Sequence, residues 1–243
     1  MKHFIFLIFF SLSIISAQTQ KGKATYKLKH PQIDVVDPTK KPSTMGNQIT
    51  ESIKTAQELI EFNLAFNNKE SVFYREEKLY ANLDKFTKGM IDILSKGNYY
   101  SNIATNQKLK STSFDNKNYI VNIYQPQPWK ITDTTKTILG YTCHKATLTK
   151  TNKKTTKDYT VEAWFSKDIP YYFGPDEYNG LPGLILELKL NPKQTIYCTG
   201  VQLQTKKNKL LTKPTEGTYV NSNEEFEDIV KTLASTAKQN IDK

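Results

Sequence analysis

Segments in which apolar residues recur at every second position dominate this chain. Every second residue from Ile60 to Phe66 is apolar, and the residues between them are mostly polar. Successive side chains of a strand point to opposite faces, so this spacing predicts a strand with one buried face. The polar residues 67–69 supply a turn and residues 71–75 return the chain, which predicts a β-hairpin.

The same alternation recurs in short segments bounded by Gly, Pro, Asn or Lys-rich turns, and it indicates about ten strands in all. Outside the hairpin, they are expected at residues 22–29, 99–104, 108–114, 119–124, 143–150, 159–166, 184–190 and 195–205. A sheet this wide must curl, close or be covered, because open edges and flat apolar faces promote aggregation. We therefore expect an α+β, mainly β fold: a large curled antiparallel sheet, half-barrel-like, with one or two covering helices. Such a shape would leave an apolar groove between sheet and helix.

One internal segment has helical rather than strand spacing. Apolar residues recur every three or four positions across residues 83–94, and Gly97 stands where a helix commonly ends. In contrast, residues 36–50 are polar and rich in structure-breaking residues, so we expect them to form a mobile loop.

The C-terminal segment predicts a second helix. Ser222 and Glu225 have the spacing of a capping box. The apolar residues that follow, from Phe226 to Ala237, share one helical face, which predicts an amphipathic helix at about 222–240.

The N-terminus has the layout of a secretory signal peptide. A polar start at Lys2 and His3 precedes an apolar run of roughly 12 residues, and small residues then offer a cleavage site after Ala17. A membrane-spanning helix needs about 20 apolar residues, so we expect residues 1–17 to be cleaved rather than kept as an anchor. Residues 18–243 would then form a single domain in the periplasm, at the outer surface or secreted, with no transmembrane segment.

The chain is basic, with a formal net charge of +10. Removing Lys2 with the signal leaves 33 basic and 24 acidic residues, a net charge of +9. The lysines are scattered as single residues and pairs, so we interpret them mainly as a solvated surface, with lipid or polysaccharide contact as the alternative. Nucleic acid is not an expected partner of an exported protein.

Cys143 and Cys198 are the two cysteines of the chain. Export permits a disulfide, but the two residues fall on predicted strands with two other predicted strands between them in sequence. Strands that far apart in a flat sheet cannot reach the Cα spacing of about 5.5 Å that a disulfide needs. The pairing is left open.

The segment YNGLPGLILEL at residues 178–188 carries a family resemblance. Its hexapeptide Gly180 to Ile185 matches the signature of the GLPGLI family of exported bacterial proteins. Further elements occur in the family's order: Trp129, the segment TKTILGYTCHKA at 135–146, Ala163-Trp164-Phe165, Ile169-Pro170 and Phe173-Gly174-Pro175. The chain therefore resembles this family over residues 26–205, and most strongly over 129–190.

The resemblance implies a periplasmic or surface-associated protein of bacteria with two membranes, without an assigned reaction. It also implies a shape similar to the half-barrels of lipoprotein carriers, which is an analogy of fold alone.

The hexapeptide has two interpretations. Pro182 fixes its own φ, while Gly180 and Gly183 permit positive φ, so the segment can turn sharply into a strand whose leucines 184, 186, 188 and 190 share one face. Alternatively, it forms a loop that docks a partner or ligand, with Leu181 as an exposed apolar contact. The candidate residues of that loop are Tyr172, Phe173, Tyr178, Gly180, Leu181, Pro182, Gly183 and Leu184.

Few residues suggest catalysis. After the signal, the histidines are His30 and His144, and Cys143 and His144 are strand neighbours that point to opposite faces. The sequence has no metal-ligand spacing and no phosphate-binding glycine loop, so no metal and no cofactor is expected. Four acids on neighbouring elements could converge only in three dimensions: Glu162, Asp168, Asp176 and Glu187.

We therefore expect a non-enzymatic envelope protein that binds a lipid, a peptide or a protein partner, for instance an outer-membrane protein. The alternative is a hydrolase whose carboxylates come together in the folded chain.

Overall fold

Twelve strands form one sheet in the computed structural model, which describes residues 21–29, 44–95, 97–152, 155–191, 194–204 and 211–241. The predicted signal peptide and His30 lie outside the described residues. In chain order the elements are β1 (Gly22–Lys29), α1 (Thr44–Leu59), β2 (Glu61–Phe66), β3 (Glu70–Arg75), α2 (Lys85–Leu94), β4 (Asn98–Asn102), β5 (Gln107–Phe114), β6 (Lys117–Asn122), β7 (Lys130–Ile138), β8 (Tyr141–Thr151), β9 (Asp158–Ser166), β10 (Leu184–Asn191), β11 (Gln194–Leu203), β12 (Thr218–Val220) and α3 (Asn223–Ile241).

The strand order is β12-β6-β5-β4-β3-β2-β1-β11-β10-β9-β8-β7. All neighbours are antiparallel except β12, which pairs with β6 in parallel. The predicted mainly β fold with a large sheet is confirmed, although the sheet is mixed and the described residues include three helices rather than one or two.

The sheet is strongly curled, as two contacts of Glu177 demonstrate. Lys108 of β5 donates from Nζ to the carbonyl oxygen of Glu177 at 3.1 Å, and Lys150 of β8 forms an ion pair with the Glu177 carboxylate. β5 and β8 are eight positions apart in the strand order. A flat sheet would separate them by about 38 Å, at about 4.8 Å for each step. Only a sheet bent back on itself brings both lysines to one residue.

Pairs of opposed residues define the concave face. Opposed residues of neighbouring strands point to the same side of a sheet. Along this face they are Val121, Lys110, Tyr99, Phe73, Leu64, Ala24, Leu28, Ile196, Leu188, Ala163 and Ala146.

The helices cover parts of the concave face. Ala56 of α1 and Ile91 of α2 belong to the same buried apolar cluster as Phe73. At the other end, Phe226 of α3 packs edge-on against Tyr119 of β6, with ring centroids 5.2 Å apart. The Ser222 hydroxyl accepts a hydrogen bond from the Glu225 amide at 3.2 Å, as the capping-box pattern predicted.

The loop prediction for residues 36–50 is wrong where it can be compared with the structure. Residues 36–43 lie outside the described residues, but residues 44–50 form the first turns of α1. Met45, Ile49 and Ala56 recur at helical spacing within this polar sequence. The helix packs along α2, where the Thr87 hydroxyl donates to Ser52 Oγ at 3.0 Å. Tertiary packing therefore outweighs the weak helical propensity of the segment.

The prediction that leucines 184, 186, 188 and 190 share one face is also wrong. The register against β9 shifts between Ile185 and Glu187, so Leu186 is an extra residue, a β-bulge. As a result, Leu184 and Leu186 join one apolar cluster, whereas Ile185 and Leu188 join another. The bulge also presents the Ile185 carbonyl oxygen to the Tyr26 hydroxyl, which donates to it at 2.8 Å.

Two strands were not predicted. β7 is an edge strand whose side chains are mostly exposed, so it has no apolar alternation. β12 has three residues, too few for a periodic pattern.

Candidate functional site

The loop of residues 167–183, between β9 and β10, fills the concave face. Tyr171 packs against Phe66 of β2, with ring centroids 4.6 Å apart. Tyr178 and Leu181 pack in the apolar cluster of β8, β9 and β10. Backbone hydrogen bonds fix the loop: Gly180 N donates to Tyr172 O at 2.8 Å within it, and Ile185 N of β10 donates to Phe173 O at 3.0 Å. The protein's own side chains therefore occupy the space where the sequence predicted an apolar groove.

The hexapeptide makes a buried turn. Gly180 and Gly183 have positive φ values of 87° and 155°. Leu181 is 1 % exposed, so its predicted role as an exposed apolar contact is wrong. Of the candidate loop's aromatic residues, Phe173 and Tyr178 are buried, and Tyr172 is 46 % exposed. A partner contact through Tyr172 stays a prediction.

Asp176 lies at the tip of a small hairpin within this loop. Phe173 and Asn179 form its closing bridge, and Asp176 has a φ of 60°, a conformation that Asn and Asp tolerate better than most residues. Its carboxyl group accepts a hydrogen bond from the Tyr99 hydroxyl. Burial, and then the adjacent Glu177 carboxylate, raise the pKa of Asp176 to about 6. The carboxyl group is thus held in a site that disfavours its charge.

Glu177 connects the two arms of the curled sheet. Its carboxylate pairs with Lys150 of β8. Its carbonyl oxygen accepts from Lys108 of β5 and from the Gln127 side-chain amide, each at 3.1 Å. Trp129 Nε1 also donates to the carbonyl of Asn179 at 3.0 Å. The loop is therefore a bridge between distant strands rather than a free surface loop.

A cleft of about 730 Å³ opens on one side of this bridge, and we call it the carboxylate cleft. Its walls are β4 to β6 with the following segment 123–128, the end of β8 and the start of β9, and the N-terminus of α3. Its volume lies in the usual range of small-molecule sites, about 300–1,000 Å³. Its described charged residues are two lysines and four carboxylates, a formal net charge of −2: Lys110, Lys150, Asp176, Glu177, Glu224 and Glu227.

A second cavity of about 430 Å³ lies against the other side of the bridge, and we call it the tyrosine pocket. Tyr124 and Tyr172, each about half exposed, line it together with Pro126 and Pro182. Lys108 lines it too and is only 5 % exposed. This pocket contains three of the predicted loop residues: Tyr172, Gly180 and Pro182.

The four acids singled out in the sequence do not all meet at one site. Glu162 pairs with Lys145, and Glu187 pairs with Lys136. Both lysines approach the Trp164 ring, with Nζ at 5.9 Å and 4.3 Å from its centroid. Asp168 and Glu187 both act on the Cys143 thiol, whereas Asp176 lies in the carboxylate cleft. A hydrolase that uses all four carboxylates at one site is therefore not supported, and one that uses fewer of them stays a prediction.

Sequence reasoning missed Tyr99, Lys108 and Lys150 as site residues. Alternation places Lys108 and Lys110 on one face of their strand, but only the curl reveals that this face is concave.

Cys143 and Cys198 are both buried, free thiols in this structure, so no disulfide joins them here. Burial raises the pKa of Cys143 to about 11, although a hydrogen bond with the Ile138 backbone and the Lys136 charge partly oppose this. The raised pKa makes a thiolate nucleophile unfavourable. The His144 ring lies 5.8 Å from the Phe165 ring, on the face of β8 opposite Cys143, as expected. Among the described residues, no three His, Cys, Asp or Glu side chains are placed to hold a metal ion.

Known proteins resemble this chain in one segment and in fold. A family model described as "Protein of unknown function (Porph_ging)" matches residues 149–187, which include the hexapeptide. No curated protein matches the chain. Within the described residues, no helix has the length and apolar character to cross a membrane.

Two solved structures, titled "Structure of PNGF-II" in the C2 and P21 space groups, are similar to this chain with a TM-score of 0.54 each. Their sequence identities to it are 16 % and 17 %. Each match covers 87 % of this chain but only 32 % and 33 % of the PNGF-II chains, so this chain spans about a third of their length. At this identity the likeness shows the fold alone.

Proposed function

We propose that this chain is an exported, GLPGLI-type binding protein of the bacterial envelope that holds a basic peptide segment in the carboxylate cleft. The observation that carries the proposal is the charge of the cleft: its described lining has a net charge of −2 on a chain of net charge +10. A cleft whose lining has a net negative charge concentrates ligands of the opposite sign.

Peptide fits this cleft better than lipid does. The concave face that a lipid would need is filled by apolar side chains of the loop, including Tyr171 and Leu181. The cleft instead offers amide and hydroxyl groups from residues such as Asn122, Thr149 and Asn221, which can pair with peptide backbone. Tyr124 and Tyr159 add aromatic surface of the kind that is enriched at protein interfaces.

Binding of labelled pentapeptides, measured by fluorescence polarisation, tests this proposal. The probes are acetylated Gly-Lys-Ala-Lys-Gly and the matched Gly-Glu-Ala-Glu-Gly. We expect the basic peptide to bind at least about tenfold more tightly, and Asp176→Asn to weaken it by about threefold to tenfold, because one cleft carboxylate is lost.

The matched control is Asp115→Asn, the same chemical change at an exposed residue that also has a positive φ, 50°. It should leave the affinity within about twofold. Equal affinity for the basic and acidic peptides, or equal loss in both variants, would refute the proposed ligand class.

Export is the second part of the proposal, and it is supported by the signal-peptide layout of residues 1–17. Expressed with its full N-terminus in a bacterium with two membranes, the protein should be recovered from the periplasmic or outer fraction with Gln18 as its first residue. N-terminal sequencing checks this. Recovery of the intact Met1 form from the cytoplasm would contradict it.

A further inference from the structure

Lys108 is a buried cation with an incomplete set of partners. Its side chain is on β5, the residue is 5 % exposed, and Nζ donates to the Glu177 carbonyl oxygen at 3.1 Å. That oxygen is neutral, and it also accepts from Gln127 Nε2. Among the described residues, no carboxylate oxygen lies within the 4 Å of Lys108 Nζ that defines an ion pair.

The Glu177 carboxylate compensates the charge of Lys108 only in part. The Glu177 carboxylate is already paired with Lys150, whose own positive charge acts on Lys108. Burial of a charge without a close counter-charge is costly, so such groups normally have a partner or a function. An ammonium group has three donors, and one of them is used within the described part of the chain.

The tyrosine pocket offers a place for the missing counter-charge. Lys108 is the only charged residue among its described lining residues. The remaining walls include the half-exposed rings of Tyr124 and Tyr172, two prolines and the side-chain amide of Asn106. We propose that the tyrosine pocket binds a small organic carboxylate, whose carboxylate group accepts a hydrogen bond from Lys108 Nζ while its apolar part packs on the two tyrosine rings.

The composition of the pocket selects a carboxylate over a phosphate. A phosphate carries more charge and is usually bound by several cations, an arginine fork or a helix N-terminus. Here the described lining has one lysine, no arginine and no helix. One ammonium group matches one monoanion, and aromatic walls favour an organic ligand. The pocket shares Tyr124, Gln125 and Pro126 with the carboxylate cleft, but Lys108 lines only the pocket and Asp176 only the cleft. Variants of Lys108 and of Asp176 therefore test the two proposals separately.

Ligand-observed NMR titration with phenylacetate, phenylacetamide and inorganic phosphate tests the inference. Phenylacetamide has nearly the same shape as phenylacetate but no charge. We expect phenylacetate to bind at least about tenfold more tightly than phenylacetamide or phosphate.

The Lys108→Met variant should abolish the preference for phenylacetate, and Lys108→Arg should retain part of it. The matched control is Lys110→Met, two residues along the same strand and lining the carboxylate cleft instead, which should change the phenylacetate affinity by less than about twofold. Because Gln127 still bonds the Glu177 carbonyl in the Lys108→Met variant, we expect that variant to fold with unchanged or greater stability in urea unfolding.

The pH dependence gives an independent measurement on the unmodified protein. Burial, and then the neighbouring Lys150 charge, lower the pKa of Lys108 to about 8, although the Glu177 carboxylate partly opposes this. Phenylacetate binding should therefore weaken at least about tenfold between about pH 7 and about pH 10, while phenylacetamide binding stays constant. Equal binding of the acid and the amide, tighter binding of phosphate, or an unchanged preference in Lys108→Met would each overturn the proposal.

Discussion

Replacing Gly183 with alanine is expected to destabilise the protein by about 4 kcal/mol, a large effect for a single methyl group. An added Cβ would lie 2.0 Å from the carbonyl oxygen of Ser166 and 2.6 Å from its carbonyl carbon. Gly183 also has a φ of 155°, which side chains other than glycine's rarely adopt. Overpacking costs typically about 1–3 kcal/mol and an unfavourable φ about 1–2 kcal/mol more.

A small side-chain movement cannot relieve this clash, because the atoms that the added Cβ would meet belong to the backbone of Ser166. Ser166 ends β9 and is opposed to Leu184, the first residue of β10. Moving either chain would disturb the pairing of these strands and the bulge at Leu186 beside it. The turn role of the hexapeptide therefore depends on this close approach.

Gly180→Ala in the same hexapeptide is the matched control. Gly180 also has a positive φ, 87°, but its added Cβ would meet nothing within 4 Å. We expect it to cost only about 1 kcal/mol, from the backbone conformation alone. The free energies of unfolding of the two variants, measured in urea, separate the cost of the close contact with Ser166 from the cost of the unfavourable φ. Similar losses of less than about 1.5 kcal/mol in both would contradict the packing described here.

The second large effect is a gain in stability. Asp176→Asn is expected to raise the free energy of unfolding at neutral pH by about 2 kcal/mol. The pKa of Asp176 is raised from its ordinary 3.8 to about 6, first by burial and then by the Glu177 charge. The folded state then binds more protons than the unfolded state between about pH 4 and about pH 6, so stability falls as pH rises through this window. A shift of two pKa units corresponds to at most about 3 kcal/mol, and partial exposure reduces it.

The sign of the effect follows from this window. Below about pH 4 the carboxyl group is protonated in both states and contributes no penalty. Above about pH 6 it is ionised in both states, and the full cost of its charge in the folded state is present. Asparagine tolerates the positive φ and keeps an oxygen for the Tyr99 hydroxyl, so the substitution removes the charge without changing the turn.

Urea unfolding of the wild type and of Asp176→Asn at about pH 4, 5, 6 and 7 measures this. The variant should gain stability only as the pH rises, and Asp115→Asn, exposed and also at positive φ, should show no such gain. A loss of stability in Asp176→Asn at neutral pH would mean that the ionised carboxylate is stabilised in its site. If Asp176→Asn gains stability and also binds the basic peptide more weakly, then Asp176 lowers the stability of the folded chain while it contributes to binding.

The local patterns in the sequence were sufficient for most elements. The hairpin of β2 and β3, the capping box of α3 and the turn of the hexapeptide each depend on residues that are near neighbours in the chain. Neighbouring residues are always close in space, so side-chain periodicity and Gly or Pro positions can predict such features without knowledge of the rest of the molecule.

The site depended on the tertiary structure. The alternation of apolar and polar residues cannot show which face of a strand is concave when both faces are buried. In β2, for example, five consecutive residues from Phe62 to Phe66 are buried. The bulge at Leu186, the helix at residues 44–50 and the burial of Lys108 each result from contacts with distant elements. Above all, Glu177 joins β5 to β8 across eight strand positions because the whole sheet curls. Local sequence determined the strands and turns, but only long-range packing decided the curvature, and the curvature creates both cavities.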